Sequence, residues 1–122
     1  MTARVLLIED EPNISEAIRF ILSRDGCDVM TLADGQGAIA TVRAERPDLV
    51  ILDLMLPGLS GLEILAQLRA DPVTQTVPVM MLTAKGQGRD REAAERAGAN
   101  HFMTKPFSND DMRAAVRALT RE

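Results

Sequence analysis

The chain has 122 residues, 46% of them hydrophobic and 26% charged, a composition that builds one packed domain over residues 1–122 and not a disordered segment. Fourteen basic residues against 18 acidic ones give a net charge of -4, and the aromatic content of 2% is all Phe. That argues against a nucleic-acid surface, which needs a basic face or base-stacking rings. The single Cys27 closes no internal disulfide, no run reaches the ~20 apolar residues of a membrane span, and the first residues lack a signal-peptide core, so a reducing cytoplasm is the expected setting.

Apolar runs alternate with helix-like stretches along the whole chain. Val5 to Ile8 reads as a buried strand. Ile14, Ala17, Ile18, Ile21 and Leu22 follow at helical spacing, and Gly26 ends that helix. Val29 to Leu32 reads as the second strand. Ala38, Ile39 and Val42 mark a second helix closed by Pro47. Leu49 to Leu52 is the most continuous apolar run, as in a strand covered on both faces. Leu62, Leu65 and Leu68 mark a third helix, and Val77 to Leu82 a fourth strand with Pro78 near its start. Arg89 to Ala97 reads as an Ala-rich helix with few large anchors, and Asn100 to Thr104 as a short fifth strand. Ser108 is placed to cap the last helix, with Asp111 three residues on and a stripe of Met112, Ala115, Val116 and Leu119.

Five strands alternating with five helices predict an α/β fold, a parallel sheet with helices on both faces. Ligands of such sheets bind beyond the carboxyl ends of the strands. Those ends carry Glu9-Asp10-Glu11, Asp53, Thr83-Ala84 and Thr104-Lys105-Pro106. Two carboxylates about 4 Å apart repel by roughly 4 kcal/mol at an effective dielectric of ~20, so such a cluster raises a carboxylate pKa or recruits a cation. Oxygen ligands of this kind suit Mg2+. Other chemistries lack their parts. The first turn has no G-x-G-x-x-G, its acids would repel a pyrophosphate, and no P-loop occurs. The Gly-containing triplets at 35–37 and 86–88 read as loops. One Cys and one His make no zinc set. A carboxylate can instead accept a phosphoryl group, provided that a metal, a Lys and a hydroxyl hold the transferred oxygens.

Four segments, Ile8-Glu9-Asp10-Glu11, LDLMLPGLSG from Leu52 to Gly61, MLTA ending at Ala84, and GANHFMTKPF from Gly98 to Phe107, together closely resemble the receiver domains of bacterial two-component response regulators. The resemblance spans the chain in the right order. It implies a (βα)5 flavodoxin-like sheet of order 2-1-3-4-5. It implies Asp53 as the phosphoacceptor in phosphorelay signalling, served by a sensor histidine kinase or phosphotransfer protein. Mg2+ would be held by Asp10 and Asp53, by Glu9 directly or through water, and by the backbone carbonyl of Met55. Thr83 would bond a phosphoryl oxygen, and Lys105 would pair with the phosphoryl group, or with Asp53 before transfer. The Lys105-Pro106 bond is expected to be cis, as it often is in this family. Thr83 and Phe102 would form the switch. The implied protein is a phosphoacceptor switch with slow loss of the phosphoryl group, not an enzyme acting on other substrates.

Met55 and Lys85 resemble the branch of regulators that carries winged-helix DNA-binding domains. That branch tends to have two acids where Asn100 and His101 stand here, and those acids make ion pairs across its dimer. A phosphorylation-dependent dimer is therefore expected to be weakened. A stand-alone receiver relaying its signal to an effector protein is the first reading, and the receiver of a longer transcription factor the second. Neither has this domain touch nucleic acid. An aspartyl-phosphate hydrolase would need an Asp where Met55 lies, and an unphosphorylated scaffold would not need Glu9, Asp10, Asp53, Thr83 and Lys105 together. The expected partner face comprises Arg91, Arg96, His101, Phe102 and Arg113. Arg113, Arg117 and Arg121 read as a solvated face, His101 as an exposed bystander and Cys27 as packing.

Overall fold

The computed structural model describes residues 2–83 and 88–120, so the readings that concern Ala84, Lys85 and Arg121 lie outside the described residues. The elements alternate as the periodicity predicts: β1 (Arg4–Ile8), α1 (Pro12–Arg24), β2 (Asp28–Leu32), α2 (Ala38–Glu45), β3 (Leu49–Asp53), α3 (Gly61–Ala70), β4 (Val79–Thr83), α4 (Gly88–Arg96), β5 (His101–Thr104) and α5 (Asn109–Thr120). The strands are parallel in the order β2-β1-β3-β4-β5. Strand order reverses beside β1 and β3, where a doubly wound sheet opens its ligand crevice.

Local chemistry sets the boundaries. Pro12 opens α1, where a missing N–H costs nothing. At its other end Gly26 takes a φ of +92° while Gly26 N–H donates to Ser23 O and Cys27 N–H to Leu22 O, a Schellman closure. Ser60 caps α3 by accepting from Glu63 N–H at 3.3 Å, and Ser108 caps α5 by accepting from Asp111 N–H at 2.9 Å. The fourth strand begins at Val79 and not at Val77. Pro78 has no N–H to give the ladder, and Val77 N–H turns back to Thr74 O. The helix of the fourth unit runs Gly88–Arg96, one residue earlier than expected, and the strand after it starts at His101.

Every residue of β3 and β4 is buried, which explains their unbroken apolar sequence. The pleat sends Leu49, Ile51, Met80, Leu82 and Met103 into one layer with α1 and α5. It sends Val50, Leu52, Val79, Met81 and Phe102 into the other, with α2, α3 and α4. Each large side chain removed from water this way contributes about 1.5–3 kcal/mol, and that surplus lets the strand ends carry unfavourable charge. Cys27 packs half-buried against the first layer. Arg117 is not merely solvated: its Nε donates to Asp25 Oδ2 at 2.9 Å and ties α5 to the end of α1. Arg113 pairs within its own helix, with Asp110.

α4 is the least buried helix, with Ala94 its one buried residue. Arg69, at the end of α3, reaches across to its far end. Its guanidinium donates to Gly98 O, to Val77 O at 2.7 Å and to Asn100 Oδ1 at 2.9 Å. Asn100 Oδ1 also accepts from Val79 N–H at 2.8 Å, so this side chain has a structural task that the sequence did not reveal.

Gly61 lets α3 start against the end of β3. A Cβ there would lie 2.3 Å from Asp53 O and 2.9 Å from Leu54 Cα, both backbone atoms. Gly61→Ala is therefore expected to cost about 1–3 kcal/mol in urea unfolding, whereas Gly88→Ala, which meets open space, should stay within about 0.5 kcal/mol.

Candidate functional site

The parity of the sheet assembles the site. Glu9 continues the series Val5, Leu7; Asp53 continues Leu49, Ile51; Lys105 continues Met103. All three side chains therefore emerge on the α1 and α5 side at the carboxyl edge. Ile8 pairs with Leu52, which sets Glu9 beside Asp53 one step on. Leu54 N–H donates to Leu82 O, and Lys105 N–H to Thr83 O at 2.6 Å, so backbone hydrogen bonds fix the chain just past β3 and β5. The peptide bond between Lys105 and Pro106 is cis.

Glu9 and Asp53 are both buried. Burial, then a hydrogen bond and repulsion from Glu9, push the Asp53 carboxyl up to about 7. Burial also works against charge on Glu9, but the Lys105 ammonium, the Glu11 N–H and Asp53 outweigh it and hold this carboxyl below its ordinary value. The two acids are thus pushed in opposite directions, Glu9 toward the charged form and Asp53 toward the protonated one. Lys105 faces both acids. Its Nζ lies 2.7 Å from Glu9 Oε1 and 3.6 Å from Asp53 Oδ2. The expected pairing of Lys105 with Asp53 is present and is the longer of the two. Burial lowers the Lys105 pKa, but contact with both acids more than compensates and leaves it raised.

One buried oxygen is left short. Glu9 Oε2 accepts from Glu11 N–H at 3.1 Å. Among the described residues, Glu9 Oε1 has the Lys105 charge nearby but no donor in hydrogen-bonding direction. Oxygens of Glu9, Asp10 and Asp53 lie within 4.8 Å of one another, with Asp10 exposed. A buried, under-satisfied carboxylate oxygen among three hard ligands fits a small divalent cation such as Mg2+, which retains water on its exposed side.

The other expected residues lie close by in the fold. Met55 N–H donates to Asp53 Oδ1 at 3.3 Å, while the residue as a whole is 74% exposed. Thr83 is buried at the end of β4, pairing in register with Thr104. It has the parity of Val79 and Met81, so it shares the α4 face of the sheet with Phe102. Phe102 is only 7% exposed and packs into that layer, with the Arg91 guanidinium 5.4 Å from its ring centroid. It already lies inside the fold, so it is not part of an exposed partner face. His101 is exposed, as expected. The Glu9–Lys105 pair and the Arg91–Phe102 contact had no local sequence signal, since each joins residues far apart in the chain.

The response regulator receiver domain pattern matches residues 5–117. The chain belongs to that family. Its fold is that of a receiver domain of response regulators, the proteins of phosphorelay signalling. The chain is 44% identical over 118 residues to the transcriptional regulatory protein TcrA of Mycobacterium tuberculosis H37Rv, covering 97% of this chain and 46% of the relative. It is 40% identical over 121 residues to the alkaline phosphatase synthesis transcriptional regulatory protein PhoP of Bacillus subtilis 168, covering 99% and 50%. The chain thus spans about half the length of the curated relatives it matches, and these regulators agree with the winged-helix branch indicated by Met55 and Lys85. Among solved structures, it superposes on the receiver domain of a Pseudomonas aeruginosa PAO1 sensor histidine kinase, solved with magnesium coordinated in the active site cleft. The TM-score is 0.91, with 30% identity and full coverage of both chains. The Vibrio cholerae chemotaxis protein CheY4 gives a TM-score of 0.91 at 26% identity, covering 98% of this chain and 99% of the other. Among the described residues, no helix is long and apolar enough to cross a membrane.

The proton on Asp53 has a sign that stability can read. Its folded pKa of about 7 lies above the ordinary 3.8, so the folded state holds a proton that the unfolded chain has released. That contribution is complete below about pH 4 and is lost as pH rises through about 7. Glu9, whose pKa is lowered, acts in the opposite sense, losing its contribution as pH falls. With a chelator present, the stability of the wild type relative to Asp53→Asn is expected to decline across that window. A difference that stays level, or grows with pH, would show that Asp53 is ionised in the metal-free fold.

Proposed function

We propose that Asp53 accepts a phosphoryl group from a sensor histidine kinase or phosphotransfer protein, and that the domain then alters a protein-binding surface. The observation that carries this reading is a buried strand-end carboxyl whose charge is opposed by Glu9, with the Lys105 ammonium 3.6 Å away. Such a group is costly to ionise alone and gains most from a cation or a transferable electrophile. Glu9, Asp10, Asp53 and the Met55 carbonyl are the residues we assign to Mg2+. When bound, the metal supplies positive charge that offsets the carboxylates and the phosphoryl oxygens.

In transfer from a phosphohistidine, Asp53 first gives up its proton to solvent, and an oxygen of the resulting carboxylate forms the new P–O bond. The donor's P–N bond breaks, and its electron pair leaves with the imidazole nitrogen. Lys105 shifts from Glu9 toward the phosphoryl oxygens, and Thr83 bonds another. Met55 brings no hydrogen-bonding side-chain group to orient a hydrolytic water, so loss of the phosphoryl group is slow. Thr83 and Phe102 share one sheet face, so movement of Thr83 changes the packing beneath α4, and a charge change becomes a surface change. We place this domain in the cytoplasm, where it binds an effector protein or an attached output domain and does not itself contact nucleic acid. A phosphorylation-dependent dimer through α4, β5 and α5 is compatible with this reading but lacks acidic partners at Asn100 and His101. The span of only half of each matched regulator supports the second reading of output, the receiver of a longer transcription factor. Both readings use the same site.

Incubation with a small acyl phosphate and Mg2+, followed by intact mass, tests the assignment. The wild type should gain one phosphoryl group and Asp53→Asn none. A gain retained by Asp53→Asn would move the acceptor to another residue.

A further inference from the structure

We propose that Met55 is a redox modification site: oxidation of its thioether to a sulfoxide shortens the life of the phosphoryl group on Asp53. This rests on the phosphoacceptor reading above and adds a chemical control of that same site.

The sulfur atoms of the chain are unequally placed. Met80, Met81, Met103 and Met112 are buried in the two apolar layers. Met30 packs partly buried against the layer of α2 and α3. Cys27 is half-buried, and burial followed by the charge of Asp25 pushes its thiol up, so little of the reactive thiolate forms. Among the described residues, Met55 is the one exposed methionine. The other large hydrophobic residues exposed among them lie elsewhere, Phe20 on α1 under the Arg24 guanidinium and Val73 beyond α3. Exposure and sulfur chemistry together make Met55 the side chain that a peroxide meets first.

The same residue is tied to the reacting group. Met55 N–H donates to Asp53 Oδ1 at 3.3 Å, so its side chain starts beside the carboxyl that takes the phosphoryl group. That side chain has three rotatable bonds and stands in solvent, free to fold back toward Asp53. With hydrogen peroxide as the oxidant, a sulfur lone pair attacks one peroxide oxygen. The S–O bond forms as the O–O bond breaks, a proton passes to the departing oxygen, and water leaves. The sulfur is oxidised and the peroxide reduced. No core contact is lost, because the oxygen is added on the solvent side. A thioether is a weak acceptor, whereas the polar sulfoxide oxygen accepts from a water beside the aspartyl phosphate. The oxygen of that water bonds to phosphorus, and the bond from phosphorus to the Asp53 oxygen breaks. The electron pair stays on the Asp53 carboxylate, and the proton goes to solvent. The thioether thus leaves the attacking water unheld, and the sulfoxide orients it.

The test treats the full chain with graded hydrogen peroxide, quenches it and locates the added oxygen by peptide mass. Met55 should gain oxygen ahead of Met30, Met80, Met81, Met103 and Met112. The oxidised chain is then charged with acyl phosphate and Mg2+, and loss of the phosphoryl mass is followed once the phosphodonor is removed. Loss should be about fivefold faster than in the untreated chain, the effect of roughly one net hydrogen bond. Methionine sulfoxide reductases of both stereospecificities, with a thiol reductant, should restore the slow rate. Met55→Leu keeps every other sulfur, Met1 included. Compared with its own untreated sample, it should lose the phosphoryl group at the same rate after peroxide. Oxygen gained first at any of the five other methionines named would overturn the inference. So would unchanged or slower loss after oxidation of Met55, a fast rate that the reductases do not reverse, or equal acceleration in Met55→Leu. If the untreated wild type gains no phosphoryl group, the phosphoacceptor reading falls and this inference with it. A normal gain followed by peroxide-insensitive loss strikes the inference alone.

Discussion

Two carboxyl groups and one ammonium sharing a dry corner of the sheet set the terms for everything around them. Glu9 and Asp53 are brought together by parallel neighbours β1 and β3, and Lys105 arrives from beyond β5. The arrangement is not self-sufficient: burial and Glu9 push the Asp53 carboxyl up to about 7, and among the described residues one oxygen of Glu9 has no directed donor. A cluster this unfavourable persists only if the scaffold over-determines it. The scaffold does so with fully buried central strands and with backbone hydrogen bonds at their ends, Leu54 N–H to Leu82 O and Lys105 N–H to Thr83 O. Gly61 completes the frame by letting α3 begin against Asp53 O. Local cost and global stability are thus divided between different parts of one sheet.

The same division separates the two sides of the sheet. Glu9, Asp53 and Lys105 emerge with the parity of the α1 and α5 layer, whereas Thr83 and Phe102 have the parity of the α4 layer. A change at the acidic corner must therefore cross the sheet through the end of β4 to reach α4. That helix is the least buried of the five described, and its hold is uneven along its length. Chemistry is lodged where packing is tightest, and its effect is delivered where packing is lightest, as the energetics of local switching require.

Much of this could be read from the residues because it is local. Strand runs, cap residues and the parity of positions 9, 53 and 105 depend on nearest-neighbour rules, and they placed the acids, Thr83 and Lys105 on one edge. What escaped was set by partners distant in sequence. Lys105 meets Asp53 as expected, but its closer contact with Glu9 joins opposite ends of the chain and had no local signal. Asn100 looked like a lost acid, and its role became visible only with Arg69, 31 residues earlier. Phe102 was expected on an exposed partner face, yet its ring is already in the core, because pairing with Met81 points it there. The start of β4 was misplaced by two residues because Val77 fits an apolar run, while the ladder needs an N–H that Pro78 cannot give.

The shared proton is the most direct handle on the acidic corner. Calorimetric titration with Mg2+, in buffers of differing ionisation enthalpy, counts the protons released per metal bound. About one pH unit below the Asp53 midpoint of about 7, binding should expel close to one proton, and the count should fall toward zero well above that midpoint. Metal uptake without proton release at the lower pH would mean that Asp53 is already ionised, and would contradict a site held ready by a protonated carboxyl.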